Sequence, residues 1–258
     1  MGKVLAITNQ KGGVGKTTTC INLAASLVAT RRKVLLVDLD PQGNATMGSG
    51  VDKGSIQYSG YELLMEELPL ATVKLTADPA GYDLVPSNAE LTAAEVELLG
   101  TDQRESRLRN SLQGVRHHYD FVLIDCPPSL SMLTINALTA ANSVIIPVQC
   151  EYYALEGLSA LLNTIKSVAM VSNPGLEVEG LVRTMYDSRN SLSRDVSDQL
   201  TDHFGDQVYR TMIPRNVRLA EAPSYGMPVL HYDKQSRGSK AYLSLAGELV
   251  RRQEHAGG

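Results

Sequence analysis

The chain has 258 residues, 43% of them hydrophobic and 20% charged, with a formal net charge of −4. That length suffices for one large domain with a substantial core, and no apolar run approaches the roughly 20 residues that span a bilayer. Three widely spaced cysteines, Cys20, Cys126 and Cys150, form no C-x-x-C pair, which argues against a disulfide framework or zinc site and for a reducing cytoplasm. No charged-then-apolar signal segment precedes the first strand-like run. The charge is unevenly spread: residues 183–252 carry 11 Lys+Arg against 8 Asp+Glu, whereas the remainder holds 13 against 20.

In chain order the pattern predicts a strand over Lys3–Thr8 and a helix over Thr17–Ala29, whose Ile21, Ala24, Ala25 and Val28 recur at helical spacing. Strands over Lys33–Asp38 and Tyr82–Val85 follow. A helix is predicted over Asn88–Leu99, with an Asn cap and with Leu91, Val96 and Leu99 on one side. Next come strands over Asp120–Asp125 and Ser143–Gln149, then a helix over Leu155–Val171 that stops before Asn173-Pro174-Gly175. A strand over Glu177–Met185, a helix over Leu192–Phe204, a strand over Gln207–Met212 and a helix over Lys240–Arg252 complete the set. The runs V-L-A-I, V-L-L-V and F-V-L-I are continuously apolar, as expected of strands buried on both faces. The expectation is an α/β fold: a single domain over residues 1–258, with a mostly parallel twisted sheet and helices on both faces.

The first strand runs into Asn9-Gln10-Lys11-Gly12-Gly13-Val14-Gly15-Lys16-Thr17-Thr18, and a helix follows. Glycines let successive N–H groups turn inward toward phosphate oxygens, and the helix N-terminus adds the positive end of its dipole. Lys16 is expected to reach the β- and γ-phosphates, and the Thr17 hydroxyl to sit on Mg²⁺. The usual first glycine is replaced by Gln10, and an extra lysine stands at Lys11. Two further strands end in carboxylates, at Asp38-Leu-Asp40-Pro-Gln-Gly43-Asn44 and at Asp125-Cys-Pro-Pro-Ser129. In a parallel sheet those ends share an edge with the loop after the first strand, where carboxylates hold Mg²⁺-bound water or orient an attacking water.

The string K-G-G-V-G-K-T-T resembles the deviant Walker A loop of the ParA/MinD superfamily. The resemblance implies ATP and Mg²⁺ as ligands and a dimer formed on ATP, with Lys11 reaching the phosphates held by the partner subunit. D-L-D-P-Q-G-N resembles that superfamily's first switch and D-C-P-P-S its second. On that match Asp40 polarises the hydrolytic water, Asp38 supports the metal region and Asp125 holds a Mg²⁺-bound water, with catalysis resting on Lys11, Lys16 and Asp40. Hydrolysis in the superfamily is slow and acts as a timer.

Ile213-Pro214-Arg215-Asn216-Val217-Arg218-Leu219-Ala220-Glu221-Ala222-Pro223 closely resembles the I-P-R-N-V-R-L-x-E-A-P stretch of the chromosomal ParA/Soj branch. The resemblance assigns adenine contacts to Pro214 and Asn216; the residues themselves supply a rigid apolar wall and an amide with both donor and acceptor. Arg189, Arg215, Arg218, Arg237 and Lys240 are candidate DNA contacts, of a kind that grips phosphates without reading sequence. No base-reading module precedes the first strand, so DNA binding is expected to be non-specific. The resulting expectation is a ParA/Soj-type partitioning ATPase: cytoplasmic, nucleoid-associated, dimeric on ATP, stimulated by a ParB-like centromere-binding partner and without a membrane partner. The alternatives weighed are a MinD-like division-site ATPase, which would end in a basic amphipathic membrane helix, and a metabolic kinase or amidoligase with its own acceptor pocket. An iron–sulfur relative would need bridging cysteines, and Cys126 reads better as a buried thiol.

Overall fold

The computed structural model describes residues 2–152 and 154–256. Seven strands form one sheet: β1 (Lys3–Ile7), β2 (Val34–Asp38), β3 (Leu75–Thr76), β4 (Asp83–Val85), β5 (Phe121–Asp125), β6 (Ser143–Gln149) and β7 (Glu177–Thr184), in spatial order β3-β4-β2-β5-β1-β6-β7. Every pairing is parallel except the short β3–β4 edge. The helices are α1 (Lys16–Ala29), α2 (Asn44–Gly48), α3 (Gly60–Met65), α4 (Leu70–Val73), α5 (Leu91–Glu97), α6 (Arg107–Gln113), α7 (Met132–Ala140), α8 (Ala154–Val171), α9 (Ser191–Phe204), α10 (Val217–Glu221), α11 (Val229–Tyr232) and α12 (Arg237–Ala256).

The continuous apolar runs resolve into two faces, because successive strand residues point to opposite sides of a sheet. Val4, Ala6, Leu35, Val37, Val122 and Ile124 pack beneath α3, α5, α6, α7, α8 and α9. Leu5, Ile7, Val34, Leu36, Phe121 and Leu123 pack beneath α1, α11 and α12. The last helix is docked on the domain: Tyr242, Leu245 and Leu249 are buried, and the Tyr242 hydroxyl lies 3.2 Å from Thr19 Oγ1 on α1. No described helix is long and apolar enough to cross a membrane.

Two expectations are corrected here. The predicted strand Gln207–Met212 is not one: Val208 makes a single bridge to Leu181, and Gln207 belongs to a 3₁₀ turn. Tyr209 and Ile213 each bond once to β7, but the amides of Arg210 and Thr211 between them go to the Glu248 carboxylate at 2.8 and 2.9 Å, not to a neighbouring strand. The predicted helix over Asn88–Leu99 is shorter, Leu91–Glu97 followed by a 3₁₀ turn, and its buried side is Leu91, Ala94 and Leu98; Val96 and Leu99 are exposed. Asn88 accepts from the Glu90 amide at 3.1 Å, a local turn one step before the helix.

Candidate functional site

The sheet order sets the site. With β5 inserted between β1 and β2, the register places Asp125 level with Ile7 on one side and Asp38 on the other. The loop after β1 and both strand-end carboxylates therefore share one edge, at the point where the chain crosses to β6 on the far side of β1.

The loop itself is held from outside and left open within. Asn9 donates to the Pro147 carbonyl of β6 at 2.8 Å and accepts from the Lys11 amide at 3.0 Å, while the Thr184 hydroxyl of β7 donates to the Val14 carbonyl at 2.8 Å. Gly13 and Gly15 adopt left-handed backbone with φ of 72° and 87°, which a side chain would strain, and Gly15 caps α1. A Cβ placed on Gly12 or Gly13 would meet no atom within 4 Å, so the space beside these two exposed glycines is open. Lys16 is buried and its ammonium donates to the Lys11 carbonyl at 3.1 Å, inside the turn. Burial lowers its pKa, and Asp125, Cys126 and Asp40 oppose that. The Lys11 ammonium instead pairs at 3.0 Å with Glu151, at a half-exposed position on the rim. The Thr18 carbonyl accepts from Asn22, whose oxygen in turn takes the Val229 amide, tying α1 to α11.

The three carboxylates differ in how they are satisfied. Asp38 is fully buried and spent on its own loop: it accepts from the Asp40 amide at 3.1 Å and from the Thr46 amide and hydroxyl at 2.8 and 2.7 Å. Asp40 is buried too, accepting from the Gln42 amide at 3.0 Å, while its carbonyl accepts from Ser87 Oγ at 2.6 Å. Asp125 is also fully buried, yet one oxygen takes only a 3.3 Å contact from the Cys20 thiol and the other has no partner. Burial first, and then the neighbouring Asp38, push the Asp125 carboxyl well above the usual range; the nearby Thr17 hydroxyl and the Cys20 thiol offset part of this. Burial likewise raises Asp38, against the pull of Thr46. A buried, unsatisfied carboxylate oxygen is costly, and a cation beside it removes the cost.

The segment after α9 returns to the same edge. Pro214 bridges in parallel to Tyr186, two residues beyond the Thr184 that holds the phosphate-type loop. Asn216 stands at the start of α10 with its side-chain oxygen buried and unpartnered, a second orphan acceptor at this edge of the fold. Beside it opens a groove of about 2060 Å³, lined by Arg189, Arg210, Arg215, Arg237, Lys240 and Arg251 among others. Four of the five basic residues singled out from sequence thus converge on it. Arg218 does not: it lies on α10, paired with Glu221 at 2.8 Å and Asp233 at 3.3 Å. Arg189 pairs with Asp187 at 2.9 Å and its side chain stays 89% exposed. Sequence reading missed Thr46, Ser87 and Thr184, which hold the carboxylate loops and the glycine loop. Single hydroxyls in irregular segments carry no periodic signal.

A family model described as "AAA domain" matches residues 2–178. The sporulation initiation inhibitor protein Soj of Bacillus subtilis (strain 168) is 51% identical over 97% of this chain and 99% of its own. The chromosome partitioning protein ParA of Caulobacter vibrioides (strain NA1000 / CB15N) is also 51% identical, over 97% and 95%. Among solved structures, a Mycobacterium smegmatis protein described as cobyrinic acid a,c-diamide synthase with bound ADP and magnesium superposes with a TM-score of 0.87 at 39% identity, covering 98% of this chain and 96% of that one. With about half of its residues identical to Soj and ParA over nearly the full length of each chain, the protein belongs to the ParA/Soj family of chromosome-partitioning ATPases.

Proposed function

We propose that this ATPase binds Mg²⁺·ATP with the phosphates in the cradle of residues 11–18 and adenine against Pro214 and Asn216. The observation that carries the reading is the buried Asp125 oxygen left without a partner at the strand edge that also holds Lys16, Thr17 and the open faces of Gly12 and Gly13. The residues fit the ligand. Amides of Gly12, Gly13, Val14, Gly15 and Thr18 face polyanion oxygens, and Lys16 exchanges the Lys11 carbonyl for phosphate. The Thr17 hydroxyl and an Asp125-bound water hold the metal, and Asp38 supports that region by fixing the loop through Thr46. When bound, Mg²⁺ neutralises charge on the β- and γ-phosphate oxygens. Asp40 orients a water that attacks the γ-phosphorus; the bond to the ADP oxygen breaks, giving ADP and phosphate.

Lys11 lies on the rim, where its ammonium can leave Glu151 for the phosphates of a second copy. The ATP-bound form is then a sandwich homodimer. It holds DNA non-specifically through Arg189, Arg215, Arg237 and Lys240, releases it on slow hydrolysis stimulated by a ParB-like partner, and resides on the nucleoid. Arg218 contributes only by giving up its two carboxylate partners. A second reading is favoured by the name of the Mycobacterium smegmatis neighbour: an amidating enzyme would use the same cradle to activate a carboxylate. Steady-state ATP hydrolysis separates the two. Stimulation by DNA with a ParB-like protein supports partitioning, whereas indifference to them, with turnover dependent on cobyrinic acid and ammonia, sinks it.

A further inference from the structure

The geometry points to Glu248, on α12, as the positioning residue of the base-contacting loop. The inference rests on the reading that Pro214 and Asn216 contact adenine. Residues 208–213 carry that loop along the open edge of β7. Two of their amides bond to β7, Tyr209 to the Leu181 carbonyl at 2.9 Å and Ile213 to the Arg183 carbonyl at 2.8 Å. The two amides between them that face α12 both go to Glu248: Arg210 at 2.8 Å and Thr211 at 2.9 Å, with the Thr211 hydroxyl adding a third bond at 2.8 Å. Arg252, one turn further along α12, donates to Glu248 and to the Val208 carbonyl, both at 3.1 Å, and stacks over the Tyr209 ring at 4.1 Å. A single carboxylate thus replaces the missing neighbouring strand just where the chain turns into Ile213-Pro214-Arg215-Asn216.

Such a substitution has a consequence for recognition. Backbone bonds to β7 and Tyr186 hold the segment at Tyr209, Ile213 and Arg215, and the carboxylate alone fixes the two consecutive residues, Arg210 and Thr211, on its other side. Removing that anchor leaves the β7 bonds on either side intact, so the fold survives. The freed Arg210 amide belongs to an exposed residue and the Thr211 amide to a half-buried one, so both can be hydrated. What is lost is the fixed height of the loop above the base. Glu248 is itself buried at 8% exposure and lies below the usual carboxylate range: burial raises it, and the Thr211 and Arg210 donors more than compensate. An ionised acceptor makes stronger bonds than a neutral amide oxygen, so a Gln at this position is not equivalent.

The test measures the ratio of ATP to GTP affinity with fluorescent analogues of each nucleotide, and uses inorganic tripolyphosphate as a competitor that ignores the base. Wild type, Asn216→Ala, Glu248→Gln and Thr211→Val are compared. The expected result is that Glu248→Gln loses about tenfold of the ATP preference and Thr211→Val about twofold to threefold, in proportion to the bonds each removes, with tripolyphosphate affinity unchanged. The inference is overturned if Glu248→Gln keeps the wild-type ratio, or weakens ATP, GTP and tripolyphosphate alike. Should Glu248→Gln not fold, Thr211→Val decides, and an unchanged ratio there overturns it. If Asn216→Ala keeps the wild-type ratio, the adenine reading itself fails and Glu248 falls with it; if only Asn216→Ala changes the ratio, the adenine reading stands and the role of Glu248 does not.

Discussion

Replacing Asp125 with Asn should stabilise the ligand-free fold at alkaline pH while weakening its response to Mg²⁺·ATP. Burial, and then Asp38, raise this carboxyl from an ordinary value of 3.8 to about 8. Between those values the folded chain keeps a proton that the unfolded chain has already released. Folded stability therefore falls as pH rises through the window from about 4 to about 8. Each unit of separation is worth about 1.4 kcal/mol, which sets a ceiling of about 6 kcal/mol for the ionised group. The part of that ceiling lying between pH 6 and the folded value of about 8 is roughly 2–3 kcal/mol. The assay is urea unfolding of ligand-free protein at pH 6 and pH 9; Asp38, raised to about 6, is already half-ionised at the lower pH and adds only about 0.4 kcal/mol across the interval. Wild type should lose roughly 2–3 kcal/mol across it and Asp125→Asn should stay nearly level. Adding Mg²⁺·ATP should raise the stability of wild type and much less that of the variant. Equal pH slopes for the two proteins, or an Asn variant less stable than wild type at pH 9, would refute the reasoning.

Lys16→Ala should abolish nucleotide-dependent dimerisation, read by light scattering, because it removes the cation buried within the cradle. Asp40→Ala should bind ATP yet stay trapped on DNA; hydrolysis at the wild-type rate would show that Asp40 does not orient the water. Gly15→Ala should cost about 1–2 kcal/mol in thermal unfolding, because an L side chain at φ 87° is strained, and should weaken ATP binding further by distorting the start of α1. The double change Arg237→Glu with Lys240→Glu should reduce ATP-dependent DNA retention at low salt and flatten its salt dependence more than Arg218→Glu does, since Arg218 already has two carboxylate partners.

The sheet was legible because its central strands are buried on both faces and read as unbroken apolar runs. Their shared edge followed from parallel topology, which is why Asp38 and Asp125 could be placed beside the glycine loop before the register was known. Helix α7 escaped because Leu133, Thr134, Asn136, Ala137, Leu138 and Thr139 are all buried, leaving no polar face to mark a period. The segment 207–212 misled for the opposite reason. Its β-branched and aromatic residues suit a strand, but the amides of Arg210 and Thr211 are taken by Glu248, 37 residues away from Thr211, and no local pattern reports that. The same limit applies to charge. Five basic residues could be named from the chain, and only the fold places four of them on the groove and Arg218 on α10 against Glu221 and Asp233.

The proposed switch is a chain that pairs with a second copy only when its cradle holds ATP, with Lys11 as the residue that crosses. Size-exclusion chromatography with light scattering, on wild type and Lys11→Ala, in saturating Mg²⁺ with ADP or with a non-hydrolysable ATP analogue, tests it most directly. Wild type should run at twice the monomer mass with the ATP analogue alone, and Lys11→Ala at the monomer mass throughout. A wild-type chain that stays monomeric with the analogue, or that dimerises equally well with ADP, would contradict it.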